Sequence, residues 1–416
     1  MKHRHSLVGQ GYMLPFVLIT FFFFLWGFAR AILDVLNPFF QETFQINKTQ
    51  ASLIQFVTYL AYFLMAVPAG MMIRRYGTRK GVVVGLLAFG GAALAFVASR
   101  FFGPYIFRFY LLLLFVIGCG LACLEVAANP YVTLLGDKET AAGRINRAQS
   151  FNGLGCICGS LLGGIYCFSG ENPNISIPYI GIGAIVLVIA VLFSRVRLPE
   201  FVIEDEGSAA RSRPTKGLSA RPLFLFGLFA LFCYEIAEIA INSFFINYAV
   251  ENHMVEWFTD FIATHFGMNL HPKFIASIVL SVGLLLFMLG RFAGSMLMQR
   301  MRAEQVLLGC AIGTVTMTTL VVMDIHGVSF VASILIFVFE SIMFPTIFAL
   351  SIKGLGGLTQ KASAILMMTP IGGAIGTVLM GMAADMHNMT FSFLVPLTAF
   401  AVILIYAVVL LRKKPE

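Results

Sequence analysis

Charged side chains are scarce in this chain of 416 residues, since only 12% are Asp, Glu, Lys or Arg and 59% are hydrophobic. Soluble domains carry about a quarter charged residues, so this composition excludes a soluble protein. The apolar runs continue for about 20 residues without polar alternation, which excludes a membrane β-barrel. The sequence therefore predicts an all-α polytopic membrane protein.

Residue patterns typical of metal or catalytic sites are also lacking. The seven histidines fall in predicted loops or tails, and the seven cysteines lie in apolar runs without metal-ligand spacing. An enzyme embedded in the bilayer would need such a cluster within its spans. We therefore expect no enzymatic activity, no metal and no cofactor.

The net charge of +8 does not indicate nucleic-acid binding, because most basic residues fall on one predicted face of the membrane. Cytoplasmic loops are enriched in Lys and Arg, and this asymmetry predicts that both termini are cytoplasmic. The bases predicted on the outer face are Lys48, Arg100, Arg108 and Lys273.

Twelve apolar segments follow one another along the chain, and a polar stretch at 197–221 divides them into two groups of six. We predict a six-helix bundle over 1–196, a cytoplasmic linker over 197–221 and a second six-helix bundle over 222–416. The segment at 251–272 fits either a short interfacial helix or a loop. The spans lie near 14–40, 51–73, 81–99, 105–135, 144–170, 178–196, 222–250, 271–297, 304–324, 329–352, 362–385 and 390–411.

Sequence features of the first half recur in the second. Glu125 precedes Pro130 in span 4 by the same interval as Glu340 precedes Pro345 in span 10. Three glycines of span 5 recur in span 11 at one constant shift, namely Gly155, Gly159 and Gly164 with Gly372, Gly376 and Gly381. Parallel repeats predict two pseudo-symmetric bundles with a substrate site near the membrane midplane between them. Gly155, Gly159 and Gly163 of span 5, spaced four residues apart, also predict close approach of a neighbouring helix.

Acidic side chains outnumber basic ones inside the predicted spans. The acids are Asp34, Glu125, Glu235, Glu238 and Glu340, and the bases are Arg30 and Arg291. A charge at the bilayer centre costs about 2.5–3.5 kcal/mol on insertion scales, so such residues commonly mark a transport pathway. Full pairing would still leave acids without a basic partner, and buried carboxylates favour their protonated form. The surplus predicts transport coupled to a proton or a metal cation.

Spans 1 and 4 carry the two principal candidates for proton coupling, Asp34 and Glu125. Arg30 and Asp34 lie one turn apart on the same face of span 1, within pairing distance. The pair either neutralises itself for insertion or belongs to the transport site. Glu125 has no base within one turn of its own helix and is the better proton carrier. Asn129 and Pro130 follow it, and we expect the proline to kink the helix so that polar groups gather there.

Amide and aromatic side chains form polar stripes on spans 2 and 5. Gln55, Tyr59 and Tyr62 share one face of span 2, and Gln149 and Asn152 share one face of span 5. Amides that donate and accept hydrogen bonds suit a hydroxyl-rich ligand. Interhelical hydrogen bonding and core packing fit the same pattern.

Span 7 places Glu235, Glu238 and Asn242 along one helical stripe, which we expect to face the substrate cavity. A weak repeat match relates this stripe to span 1 and pairs Glu235 with Arg30. We therefore expect Arg30 and Glu235 to approach each other across the pseudo-two-fold axis.

The twelve spans in two repeats, the basic loop 70–80 and the central linker resemble the major facilitator superfamily. The motifs at 33–34, 123–130, 144–152 and 345–348 resemble its fucose permease branch more specifically. The resemblance implies uptake of a monosaccharide with protons, or with sodium in some members. It implies that Glu125 accepts the proton, that Asp34 binds substrate or acts as a gate, and that Gln149 and Asn152 line the sugar cavity.

The chain departs from that branch at two charged positions. Arg30 and Ala31 stand where neighbouring amides are expected, and Glu235 stands at an apolar position. An acidic sugar such as a sialic acid or a uronate, held bidentately by Arg30, therefore competes with a neutral monosaccharide. In either case we expect a monomer surrounded by lipid in a bacterial inner membrane.

Overall fold

The computed structural model describes residues 12–136, 141–169, 176–195, 217–218, 221–325 and 327–412. Over these residues, twelve helical spans are long and apolar enough to cross a membrane. The predicted all-α polytopic class is confirmed. The predicted linker lies almost entirely outside the described residues.

Spans 2, 10, 11 and 12 each consist of two α-helices, and the other spans contain one α-helix each. A 3-10 helix ends span 3 at Phe96–Phe101, and another begins span 4 at Gly103–Tyr105. The helices of spans 1–6 are α1 (Met13–Phe44), α2 (Lys48–Ala51), α3 (Leu53–Tyr76), α4 (Thr78–Ala95), α5 (Ile106–Leu134), α6 (Ala141–Phe168) and α7 (Ser176–Arg195). The remaining helices are α8 (Pro222–Glu251), α9 (Glu256–Phe266), α10 (Pro272–Leu297), α11 (Ala303–Val322), α12 (Val328–Glu340), α13 (Met343–Ile352), α14 (Thr359–Leu366), α15 (Ile371–Met386), α16 (Met389–Ser392) and α17 (Leu394–Arg412).

The helices form two compact units. The first unit comprises the described parts of 1–36 and 57–203, and the second comprises 37–56 with the described parts of 204–416. Residues 37–56, which end α1 and begin span 2, thus belong to the same unit as the C-terminal helices. In that unit α2 packs against α15. The sequence did not indicate this grouping.

Equivalent spans have equivalent neighbours in the two units. In the first unit α4 packs against α5 and α7, and in the second α11 packs against α12 and α17. These are spans 3, 4 and 6 of the first half and spans 9, 10 and 12 of the second. The common pattern confirms the pseudo-symmetry that the repeat predicts.

The repeated glycines let helices approach at backbone distance in both units. A Cβ added to Gly155 of α6 would collide with the carbonyl oxygen of Phe24 in α1. A Cβ added to Gly376 of α15 would lie 2.5 Å from the carbonyl oxygen of Ile236 in α8. The close approach predicted at Gly155 is confirmed, and Gly376 allows the same kind of approach in the second unit.

The backbone conformation differs between the two glutamate–proline motifs. Helix α5 continues without interruption across Pro130, whereas span 10 is interrupted after Glu340 and resumes in α13. Pro345 lacks an N–H, so the carbonyl of Ser341 loses its usual partner one turn later. Arg291 Nε donates to this carbonyl at 3.1 Å and so satisfies it. The break expected at Pro130 is therefore found at the equivalent place in the second half.

The segment between spans 7 and 8 contains a short helix, which decides between the two alternatives. Helix α9 occupies Glu256–Phe266. Gly267 follows as its C-cap, with a left-handed backbone conformation. Trp257 and Phe266 of this helix are both 67% exposed.

Candidate transport site

The first unit brings Arg30, Glu125 and Tyr62 together. Arg30 of α1 lies within electrostatic range of Glu125 of α5, and Tyr62 of α3 lies within range of both. Trp26 approaches the Tyr62 side chain, and the rings of Tyr59 and Tyr62 lie 6.1 Å apart. The side chains of Glu125 and Arg30 are both half-buried. The site thus has a basic group beside Glu125 that comes from another helix.

Asp34 occupies the same helix as Arg30 but a more enclosed position. Its side chain is only 5% exposed. Pro38 follows it within α1, and the missing N–H of the proline removes the usual helical donor for the Asp34 carbonyl. Asn129 lies in α5, but its side chain falls outside the described residues.

The two amides predicted on span 5 are both half-buried on α6. Asn152 Nδ2 donates to the carbonyl of Phe23 in α1 at 3.1 Å. This contact agrees with the interhelical alternative for Asn152. Gln149 lies one turn earlier, on the same face of the helix.

Sequence reasoning missed a structural role for Arg144. Its side chain is fully buried, and Nε donates to the carbonyl of Val132 at 2.9 Å. A second nitrogen donates to the carbonyl of Gly136 at 3.2 Å. Arg144 therefore caps the C-terminal end of α5, where a helix leaves carbonyl groups without intrahelical partners. Its position in the motif at 144–152 was the available signal.

The polar stripe predicted on span 2 is divided between the two units. Gln55 belongs to the second unit, is 1% exposed, and accepts a hydrogen bond from Asn37 Nδ2 at 3.5 Å. Tyr59 and Tyr62 belong to the first unit.

The second unit contains its own group of buried acids. Glu235, Glu238 and Glu340 are 6%, 4% and 0% exposed. All three lie within electrostatic range of Tyr234, and Arg291 is the base in this group. The stripe predicted on α8 is thus buried within the second unit, and its expected position at a substrate cavity stays a prediction.

Asn242 extends this cluster by one turn of α8. It is 4% exposed, and its Nδ2 donates to Glu238 at 3.4 Å. Its side-chain oxygen is buried without a hydrogen-bond partner among the described residues. A buried acceptor of this kind suits a hydroxyl or water donor.

The second unit also contains an ion-pair cluster at the predicted outer membrane face. Lys273 pairs with Glu42 at 2.5 Å, and Lys48 pairs with Glu251 at 3.1 Å. Asp385 accepts hydrogen bonds from the backbone N–H groups of Lys48 and Thr49 at 3.0 and 2.8 Å. Sequence reasoning missed this cluster, although two of the four predicted outer bases belong to it.

Comparison with known proteins places this architecture in a family. Residues 19–369 match the model of the Major Facilitator Superfamily. The chain is 32% identical to the glucose/galactose transporter of Brucella abortus, over 98% of this chain and 96% of that protein. It is also 32% identical to the L-fucose-proton symporter of Escherichia coli, over 96% of this chain and 93% of that protein.

A solved structure agrees with the sequence relatives. The crystal structure of the transporter FucP in its outward conformation matches with a TM-score of 0.67 and 31% identity, over 97% of this chain and all of that chain. The predicted family is thereby confirmed. The chain belongs to the major facilitator superfamily of membrane transporters, in the branch that resembles fucose permease.

Proposed function

We propose that this protein imports a monosaccharide by proton symport, with Glu125 as the group that carries the proton. The observation that supports this assignment is the Arg30–Glu125–Tyr62 arrangement in the first unit. Its relatives, a glucose/galactose transporter and an L-fucose-proton symporter, support a sugar substrate.

The charge balance of the first unit favours one proton. Asp34 and Glu125 carry two negative charges when ionised, and Arg30 supplies one positive charge. One bound proton therefore makes the group neutral, which lowers the cost of moving it through a low-dielectric environment. Asp34 lies one turn from Arg30 on the same helix, a geometry that favours pairing. Glu125 is then the carboxylate that gains and loses the proton.

Hydroxyl groups of the substrate are proposed to hydrogen-bond to Gln149 on α6, in the first unit. Arg30 also favours a second candidate, an acidic sugar whose carboxylate would take the place of Glu125 as its partner. Sodium coupling is the alternative for the ion, since the same carboxylates would attract either cation.

Proteoliposome uptake tests the proposal. Labelled D-glucose, L-fucose and D-glucuronate are supplied under an imposed proton gradient, an imposed sodium gradient, or neither. We expect the proton gradient to drive accumulation of a neutral sugar. Accumulation of glucuronate alone would establish the acidic-sugar alternative, and acceleration by neither gradient would exclude ion-coupled sugar uptake.

We further propose that the protein is a monomer in a bacterial inner membrane with both termini in the cytoplasm, which the positive-inside distribution supports. The expected approach of Arg30 to Glu235 also stays a prediction. Transport restored by the double variant Arg30→Glu, Glu235→Arg would support it, and inactivity of that variant beside well-folded single variants would count against it.

A further inference from the structure

A polar cavity lies within the ion-pair cluster of the second unit. Its volume is about 260 Å³. Pockets for drug-sized ligands begin near about 300 Å³, so this volume suits a smaller molecule such as a monosaccharide. The polar lining consists of Gln41, Glu42, Gln45, Asn247, Glu251 and Lys273.

Two amides in this lining hold each other in place. Asn247 Nδ2 donates to Gln41 Oε1 at 2.9 Å, and Gln41 Nε2 donates to Asn247 Oδ1 at 3.3 Å. Asn247 is 3% exposed, which fixes its amide within the second unit. Gln41 Nε2 also donates to Asn37 Oδ1 at 2.7 Å, and Asn247 Nδ2 also donates to Glu251 Oε1 at 3.5 Å. A ligand hydroxyl that contacts these amides therefore replaces one of their present hydrogen bonds.

The charged groups in the lining keep hydrogen-bonding capacity after pairing. Lys273 donates to Glu42 and to the carbonyl of Pro38, and an ammonium group carries three N–H donors. Glu42 and Glu251 each contact a lysine through one oxygen, and within the described ranges the second oxygen of each has no protein partner. The cavity therefore presents one donor and two acceptors beyond its internal bonds.

The charges around the cavity favour a neutral ligand. Glu42 and Glu251 are matched by Lys273 and Lys48, so the group has no surplus positive charge for a carboxylate ligand. An added anion would lie beside two carboxylates, and like charges at close range are unfavourable. A neutral polyhydroxyl ligand can use the remaining donor and acceptors without this cost.

We propose that this cavity is an outer binding site for a neutral monosaccharide, occupied before the sugar reaches the residues that couple transport. The proposal rests on the proposed sugar transport and deepens it, because it assigns a neutral substrate and a second place of recognition. The sugar hydroxyls exchange hydrogen bonds with the Gln41–Asn247 pair and donate hydrogen bonds to the second carboxylate oxygens of Glu42 and Glu251.

The variant Asn247→Ala tests the site through the two directions of transport. We expect the KM for D-glucose entering from the outside to rise about two- to tenfold, as for the loss of one hydrogen bond to a ligand. We expect the KM for D-glucose leaving from the inside to stay the same, since that sugar meets the outer cavity last. Asn252→Ala is the matched control, because the Asn252 amide bonds Thr390 at 3.0 Å and does not line the cavity.

An unchanged outer KM, or an equal rise in both directions, would overturn the outer site. Glucose binding to the purified protein, measured by titration calorimetry, supplies a second readout that does not depend on transport. There we expect weaker glucose binding in Asn247→Ala than in Asn252→Ala, and equal binding would reject the site. A wild-type protein that binds glucose in this manner but never transports it would contradict the proposed function and leave the cavity as a sugar site.

Discussion

Glu125 and Glu340 occupy equivalent positions in the two halves of the sequence but different environments. Glu125 lies on an uninterrupted helix, is half-buried, and has Arg30 nearby. Glu340 ends helix α12, is 0% exposed, and shares its surroundings with two further acids. The repeat thus preserves the packing of equivalent spans, while the backbone and the side-chain surroundings at these matched positions differ.

The different surroundings of Glu125 and Glu340 favour different roles for these two residues, although the sequence motifs around them are alike. A carboxylate that exchanges protons needs access to water as well as a site that tolerates its neutral form. Of the two glutamates, Glu125 has the less enclosed side chain. Glu340 is fully buried at a helix break. We therefore propose that Glu125 of the first unit, and not Glu340, couples transport to the proton.

The substitutions Glu125→Gln and Glu340→Gln give the sharpest test of this contrast. With the membrane potential clamped, a one-unit pH gradient supports about tenfold accumulation when one proton moves with each sugar. We expect Glu125→Gln to reduce the accumulation ratio to about one while sugar exchange continues. We expect Glu340→Gln to keep the wild-type ratio, even where its rate is lower.

The ratio distinguishes coupling from a general loss of protein, because it does not depend on the number of active molecules. Glu304→Gln, at the start of α11, serves as a control for substitution of a carboxylate outside both acidic groups. Loss of accumulation in both Glu125→Gln and Glu340→Gln would contradict the proposal that only Glu125 couples transport to the proton. It would show that each half contributes a proton site.

The glycines test whether the two units depend equally on close helix packing. Alanine at Gly155 or Gly376 would push against a backbone carbonyl of the neighbouring helix. We expect each change to lower the free energy of unfolding by about 1–3 kcal/mol, as in overpacked interiors. Thermal unfolding in detergent measures the loss.

Gly309→Ala provides the matched control for the glycine variants. An added Cβ at this position in α11 meets nothing within 4 Å. Alanine favours a helix over glycine by about 0.5–1 kcal/mol, so we expect equal or greater stability. If only one of Gly155→Ala and Gly376→Ala destabilises the protein, the packing symmetry does not extend to energetics.

Sequence patterns predicted those features that depend on one helix at a time. Apolar length gave the twelve spans, and regularly spaced glycines such as Gly155 gave the close helix contact of span 5. Small residues at fixed spacing leave few alternatives for packing within a bundle. These predictions needed no knowledge of which helices are neighbours.

Features that depend on the neighbouring helix could not be predicted in this way. Arg30 approaches Glu125 from another helix, whereas helical spacing indicated only its relation to Asp34. Pro130 and Pro345 follow matched glutamates, yet of these two spans only span 10 is interrupted. The Ser341 carbonyl that Pro345 frees needs a hydrogen-bond donor from another helix. Arg291 supplies that donor in the second unit, and its distance along the chain from Ser341 hides the relation.

This hydrogen bond leads to the smallest effect that we predict. Arg291→Met removes the donor to the Ser341 carbonyl as well as a positive charge near the acids of the second unit. Pro345→Ala restores a backbone N–H that can reach the same carbonyl. We therefore expect the double variant to regain about 1 kcal/mol of the unfolding free energy lost in Arg291→Met, as for one hydrogen bond.

Comparison of four proteins isolates this contribution, namely the wild type, both single variants and the double variant. Because charge loss is the same in Arg291→Met with and without Pro345→Ala, it cancels when the effects of the proline substitution are compared. Pro345→Ala must then stabilise the Arg291→Met background more than the wild-type background. Equal effects in both backgrounds would show that Arg291 acts on the second unit through its charge alone, and the helix break would need another explanation.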